Sequence, residues 1–270
     1  MKHPRHRAHH MFLTYPVSVR ERLYSLLIGP LLVAAAIYLV VSLFQTEVAE
    51  SGVATWHVLV EASFATLARI TVAYILAVVV GIPLAILATH NRLLEKILLP
   101  VFDVLESVPI LAFFPVVVVM FVRWDFMEGA AVSILFLSML WNIVFTLVGG
   151  LKIIPQDIVN AARIFGLSGF AYVRRVLIPA VFPQLVIGSV LAVAQGWNLI
   201  IIAEALHTYI PHGNPSQDLF GIGSILVSAA ANAHNTVFAE ALVIMVLMIA
   251  VLNLFVWQRL ITYSQRFRFD

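Results

Sequence analysis

Cysteine is absent from all 270 residues. Its absence excludes disulfides, thiolate metal sites and a cysteine nucleophile. Charge is nearly as scarce: Asp, Glu, Lys and Arg make 11% of the chain, against about 25% in a soluble domain, while 62% is hydrophobic. The mean hydropathy is +1.00. No soluble fold of this length hides so much apolar surface, so the solvent is lipid. Nucleotide motifs are missing too. Gly149-Gly150-Leu151-Lys152 has neither the spacing nor the hydroxyl residue of a phosphate-binding loop, so any ATP must be bound by another chain. There is no H-E-x-x-H, and Gly221-Ile-Gly-Ser-Ile-Leu lacks the last glycine of a nucleophile elbow, which disfavours an intramembrane hydrolase. The sequence pI of about 9.0 rests on a few basic residues set between apolar runs, a pattern that reports membrane orientation rather than nucleic-acid binding.

What is present is a series of apolar runs, each near the ~20 residues that cross a hydrocarbon core. Six are predicted as spans: Leu23–Phe44, Thr66–Thr89, Ile97–Val122, Ala130–Leu151, Gln184–Leu206 and Val237–Trp257. The first is too long for a signal-peptide core and reads as a retained helix. Leu219–Ala233 is short and rich in Gly, Ser and Ala, and reads as an interfacial or re-entrant helix. The fold class is all-α and polytopic. Its parts are a basic tail (1–22), a first helix with its outer loop (23–60), a core of five spans (61–258) and a C-terminal tail (259–270).

With six spans, one side collects Lys2, Arg5, Arg7, Arg20, Arg22, Arg92, Lys96, Lys152, Arg163, Arg174, Arg175, Arg259, Arg266 and Arg268. The other side holds Arg123 alone, with Glu47, Glu50, Glu61, Asp125, Glu128 and Asp218. The positive-inside rule then places both termini in the cytoplasm of a multi-pass protein.

Ionisable residues inside spans mark function or strain. Arg69 lies about one turn inside the outer boundary, either snorkelling to the surface or serving an outer gate that attracts anions. Asp103 and Glu106, at i and i+3, share a helix face in a structural or gating role. Glu204 and Glu240 lie near outer helix ends, where solvation or contact with another protein is expected. Pro109 and Pro115 interrupt the third span, and such irregularity is expected to face the bundle interior. His3, His6, His9 and His10 read as part of a basic tail brushing anionic lipid rather than a metal site. His207, His212 and His234 share the outer side without defining a site.

The segment between the fourth and fifth spans, 152–183, is the most informative. Pro155 opens a helix, with Asp157 favourable to its dipole, and Gly166 is placed to end it. Ser168 caps a second short helix through Arg175, which stops before Pro179 and Pro183. Two short helices near a right angle, with small residues outward, would let another protein approach closely.

Ala161, Ala162, Gly166 and Pro179 sit at the positions of the EAA loop, so the chain resembles the permeases of binding-protein-dependent ABC importers. Asn160 stands where that family usually has Glu. Looser likenesses point to the nitrate, sulfonate, taurine and bicarbonate branch: Pro100-Val-Phe-Asp103, Val108-Pro109-Ile-Leu-Ala-Phe-Phe-Pro115, Trp197, Ala203-Glu204 and Phe220-Gly-Ile-Gly223. The resemblance implies a bacterial inner-membrane permease subunit for a small anion, and not an enzyme. Two ABC ATPase subunits would hold the ATP and Mg, contacting Asn160, Ala161, Ala162, Arg163, Gly166, Leu167 and Pro179. No cofactor would bind this chain. A second permease copy or homologue, a solute-binding protein and membrane lipid would complete the assembly, with no nucleic acid. Arg69, Asp103, Glu106, Pro109, Trp197 and Glu204 are the candidates for the pathway or its gate. The competing reading is a secondary transporter or channel, for which the sequence lacks an inverted repeat with paired broken helices.

Overall fold

The structure, a computed structural model, describes residues 56–210, 213–214 and 217–267. The predicted first span, the histidine-bearing tail and His212 lie outside the described residues. Eight helical elements follow in order: α1 (Trp56–Thr89), α2 (Arg92–Ser107), α3 (Ile110–Arg123), α4 (Met127–Lys152), α5 (Gln156–Ile164), α6 (Gly169–Glu204), α7 (Ile222–Ala231) and α8 (Asn235–Phe267). Four of them (α1, α4, α6 and α8) are long and apolar enough to cross a membrane, and α2 with α3 makes a fifth span if the bent pair is counted as one.

α4 is the hub, with α1 and α6 packed along its length. Its Ile134, Leu135, Met139, Ile143 and Leu147 are wholly buried. In lipid the attraction between helices is close packing rather than water exclusion, which small residues permit. α1 supplies them on one face: Ala73, Ala77, Gly81, Ala85 and Ala88 are buried at helical spacing. A Cβ on Gly81 would stand 2.9 Å from Ile143 Cγ2, so this crossing is set by the missing side chain. The Tyr74 hydroxyl donates to Ser189 Oγ at 2.8 Å, tying α1 to α6.

α1 begins ten residues before the predicted span, so Arg69 lies more than three turns inside the helix. α2 and α3 meet at a bend of 82°. Val108 is extended, as the residue before Pro109 must be, and Pro109 starts α3. Contrary to expectation, the bend faces outward from the bundle of described helices. Pro109 and Pro115 are exposed, and only Phe102, Phe114 and Val118 of the pair are buried. α8 runs ten residues past the predicted last span. A π turn at Asn253–Trp257 carries it on, and Phe182 of α6 stacks against Tyr263 and Phe267, so much of the expected tail is packed helix. The predicted interfacial or re-entrant segment is α7. Its buried Ile222 and Leu226 pack with Leu59 of α1 and Ala241 of α8.

Candidate functional site

Two clusters stand at opposite ends of the bundle. At the end where α4 finishes, Lys152 pairs with Glu95 of α2 at 2.7 Å, and the chain turns into α5. Ile154 is buried, and Ile158 and Val159 pack on the core beside it, fixing the inner face of α5. The helix ends as the sequence indicates. Gly166 has φ +69°, its N–H donates to Arg163 O at 3.0 Å, and the Leu167 N–H donates to Ala162 O at 2.9 Å. This is a Schellman turn, whose left-handed residue favours glycine.

Two expectations for this segment fail. Ser168 holds the N-cap position without a side-chain cap, and no separate second helix follows. α6 runs unbroken from Gly169 to Glu204. A π turn at Val173–Leu177 shifts the hydrogen-bond register just before Pro179, which enters at the start of the next α segment where its missing N–H is tolerated. Pro183 lies buried inside the helix. Nor are the small residues all outward. Ala162 is buried against the bundle, while Asn160, Ala161, Arg163 and Gly166 are exposed and Leu167 and Pro179 half-buried. The outward surface is instead large and apolar: Ile164, Phe165 and Phe170 are 84%, 81% and 79% exposed.

At the other end, Arg69 is buried and each of its three guanidinium nitrogens donates. Its Nε and Nη2 donate to the two carboxylate oxygens of Glu128, at 2.6 and 2.7 Å. Nη1 donates to Glu204 Oε1 at 2.7 Å and to Phe220 O at 2.9 Å. Glu204 also accepts from Thr66 Oγ1 at 2.7 Å and from the Gly223 N–H at 2.8 Å. The Ile222 N–H donates to Thr66 Oγ1 at 2.9 Å. The first amides of α7 are thus capped by side chains of α1 and α6, because its own N-cap, Gly221, has no side chain to offer. A Cβ on Gly221 would overlap the Glu204 carboxylate, and one on Gly223 would stand 2.9 Å from Glu204 Oε2. Phe220-Gly-Ile-Gly223 is therefore shaped to admit that carboxylate. Glu204 is fully buried, so the expectation of solvation is wrong, and Arg69 neither snorkels nor presents a free edge to an anion.

Sequence reasoning brought Arg69 and Glu204 forward but missed Glu128, read as one of several outer-loop acids, and Thr66. The remaining candidates stay apart from this network. Trp197 is buried in the core, while Asp103 and Glu106 are exposed on α2 beside Val101, Val104 and Leu105. His207 pairs with Asp218 at 2.7 Å, closing the loop that follows α6.

Residues 77–263 match the family model described as binding-protein-dependent transport system inner membrane component. The chain belongs to this family. Among its relatives, the nitrate import permease protein NrtB of Leptolyngbya laminosa is 34% identical over 160 residues, covering 59% of this chain and 56% of the relative. The bicarbonate transport system permease protein CmpB of Synechococcus elongatus is 32% identical over 142 residues, 53% of this chain and 50% of the relative. The taurine transport system permease protein TauC of Escherichia coli is 27% identical over the same shares. The chain thus spans about half the length of these relatives. A solved inward-facing structure of the MetNI methionine ABC transporter is similar in fold, with TM-score 0.62, 21% identity, and coverage of 80% of this chain and 99% of that one. Members of the family are inner-membrane permease subunits rather than enzymes, and the several apolar helices here agree with that setting.

Proposed function

We propose that this chain is the permease subunit of an ABC importer for a small oxyanion, driven by ATP hydrolysed in a separate subunit. The observation that carries the coupling is the outward ridge of Ile164, Phe165 and Phe170. Three large apolar side chains stand bare among Asn160, Arg163, Arg174 and Arg175, two at the end of α5 and one in the first turn of α6, on either side of the left-handed Gly166. Their polar neighbours support a position beyond the hydrocarbon, where such a ridge suits a protein partner. Two ATPase subunits, carrying ATP and Mg, would take this ridge into a groove, and this chain would bind no cofactor itself. The bent face of α2 and α3, exposed with Asp103 and Glu106, would meet a second permease copy or homologue, with the pathway between them. The asymmetry of Lys and Arg supports a cytoplasmic side for the ridge and both termini, and a solute-binding protein would dock at the end where α7 lies.

Nitrate, bicarbonate and taurine permeases among the relatives support an oxyanion as the solute. Co-purification of the native complex tests the reading. A stoichiometric ATPase partner and solute-stimulated ATP hydrolysis are expected. Solute uptake by the chain alone, without any ATPase, would replace the importer with a carrier.

A further inference from the structure

We propose that Glu128 is a positioning residue for transport: the releasable arm of a clasp that holds α7 down over α1. The inference rests on the permease reading and concerns a residue outside the coupling ridge.

The clasp has two unequal halves. Glu204 is fully buried, takes three donors besides filling the space left by Gly221, and cannot leave without stranding charge. Glu128 binds the same guanidinium through two short bonds, yet its side chain is 48% exposed. Water can therefore solvate the Glu128 carboxylate when it lets go, whereas it cannot reach Glu204. With one arginine against two carboxylates, release of Glu128 also leaves a balanced Arg69–Glu204 pair behind.

Glu128 is placed to be moved. It lies in the first turn of α4, directly after the linker Trp124–Phe126, where Asp125 holds φ 51°, a strained value for a residue with a side chain. That linker joins α4 to α3, the half of the bent pair that lies largely on the surface. A shift of α2 and α3 against a partner would pull on Glu128 first. The Arg69 fork would then lose the contact that orients it, and with it the hold of Nη1 on Phe220 O, just ahead of α7. The face of α1 under α7 carries Leu59, Ser63 and Thr66 at i, i+4 and i+7, all buried. Leu59 and Thr66 both touch α7, so lifting it is expected to uncover Ser63 between them.

The chain has no cysteine of its own, so Ser63→Cys gives one thiol beneath the clasp with little change of shape. Its reaction with a charged, water-borne thiol reagent is followed by mass spectrometry of this chain in nucleotide-free vesicles, alongside the yield of folded protein. That reading does not depend on an ATPase partner, so failure of the clasp and failure of the importer reading are distinguishable. Glu128→Gln should raise the labelling rate roughly ten-fold or more, the factor that loss of a charge-assisted hydrogen bond corresponds to, at unchanged yield. Glu128→Asp should restore part of the protection. Unchanged labelling in Glu128→Gln would reduce Glu128 to a surface charge. A collapse in yield as deep as that of Glu204→Gln would make it a fixed structural partner, and either result overturns the proposal.

Discussion

The two ends of this bundle follow opposite rules. Around Arg69 every guanidinium nitrogen has an acceptor and the first amides of α7 have side-chain partners, so the network is satisfied within the described residues. Around Gly166 the turn closes α5 through its own backbone, but the side chains are not covered: Ile164, Phe165 and Phe170 face outward. A buried charge is tolerated only when paired, and the Arg69–Glu204 contact keeps that pairing inside the chain. An exposed apolar ridge has no such constraint among the described residues, and under the proposed function its missing contacts are those a partner would supply. The difference separates what the subunit completes alone from what it leaves to assembly.

Breaking the closed end should have the largest effect. Glu204→Ala leaves Arg69 over-exposed to a low-dielectric interior and strips caps from α7. A loss of about 3–5 kcal/mol is expected, read as a lower unfolding temperature and a lower yield of folded protein in detergent. Arg69→Gln comes next. It leaves two carboxylates facing each other, one of them fully buried, so stability should fall before transport does. Arg69→Lys should recover only part of it, since an ammonium cannot serve the two oxygens of Glu128 and the Glu204–Phe220 side together. Were Arg69→Gln as stable as the native chain yet unable to carry anions, Arg69 would belong to the pathway and the closed end would be misread.

At the open end the effect on folding should be small and on coupling large. Nothing lies within 4 Å of a Cβ at Gly166, so Gly166→Leu meets no clash, only the strain of φ +69°. About 1 kcal/mol of stability is expected to go, with solute-stimulated ATP hydrolysis falling much further in the assembled complex. Smallest of all should be Tyr74→Phe, which removes the α1–α6 hydrogen bond to Ser189. Such bonds between membrane helices average about 0.6 kcal/mol, so the change in unfolding temperature should be slight.

Much of this was legible in the sequence because lipid imposes strong local rules. The four described long spans sit where apolar runs sit, and Gly166 ends α5 because only a left-handed residue closes that turn. Long-range pairing was not legible. Arg69, Glu128 and Glu204 lie far apart along the chain, and nothing local to Glu128 distinguishes it from Asp125 or Glu61. Pro109 was visible as an interruption, but which way the bend faces depends on neighbours that α2 and α3 lack among the described residues. Pro179 misled for a different reason. Its ordinary meaning is a helix stop, and the π turn at Val173–Leu177 absorbs it in a way that residue preferences do not encode.

The central claim is that the bare ridge beside Gly166 is where an ATPase subunit docks. Phe165→Glu tests it most directly, because the side chain is 81% exposed and its loss should leave the fold intact. The measurement is ATPase retention on the purified permease together with solute-stimulated hydrolysis. The account predicts that Phe165→Glu folds and inserts normally but loses the ATPase partner and the stimulation. Full retention of both would contradict it.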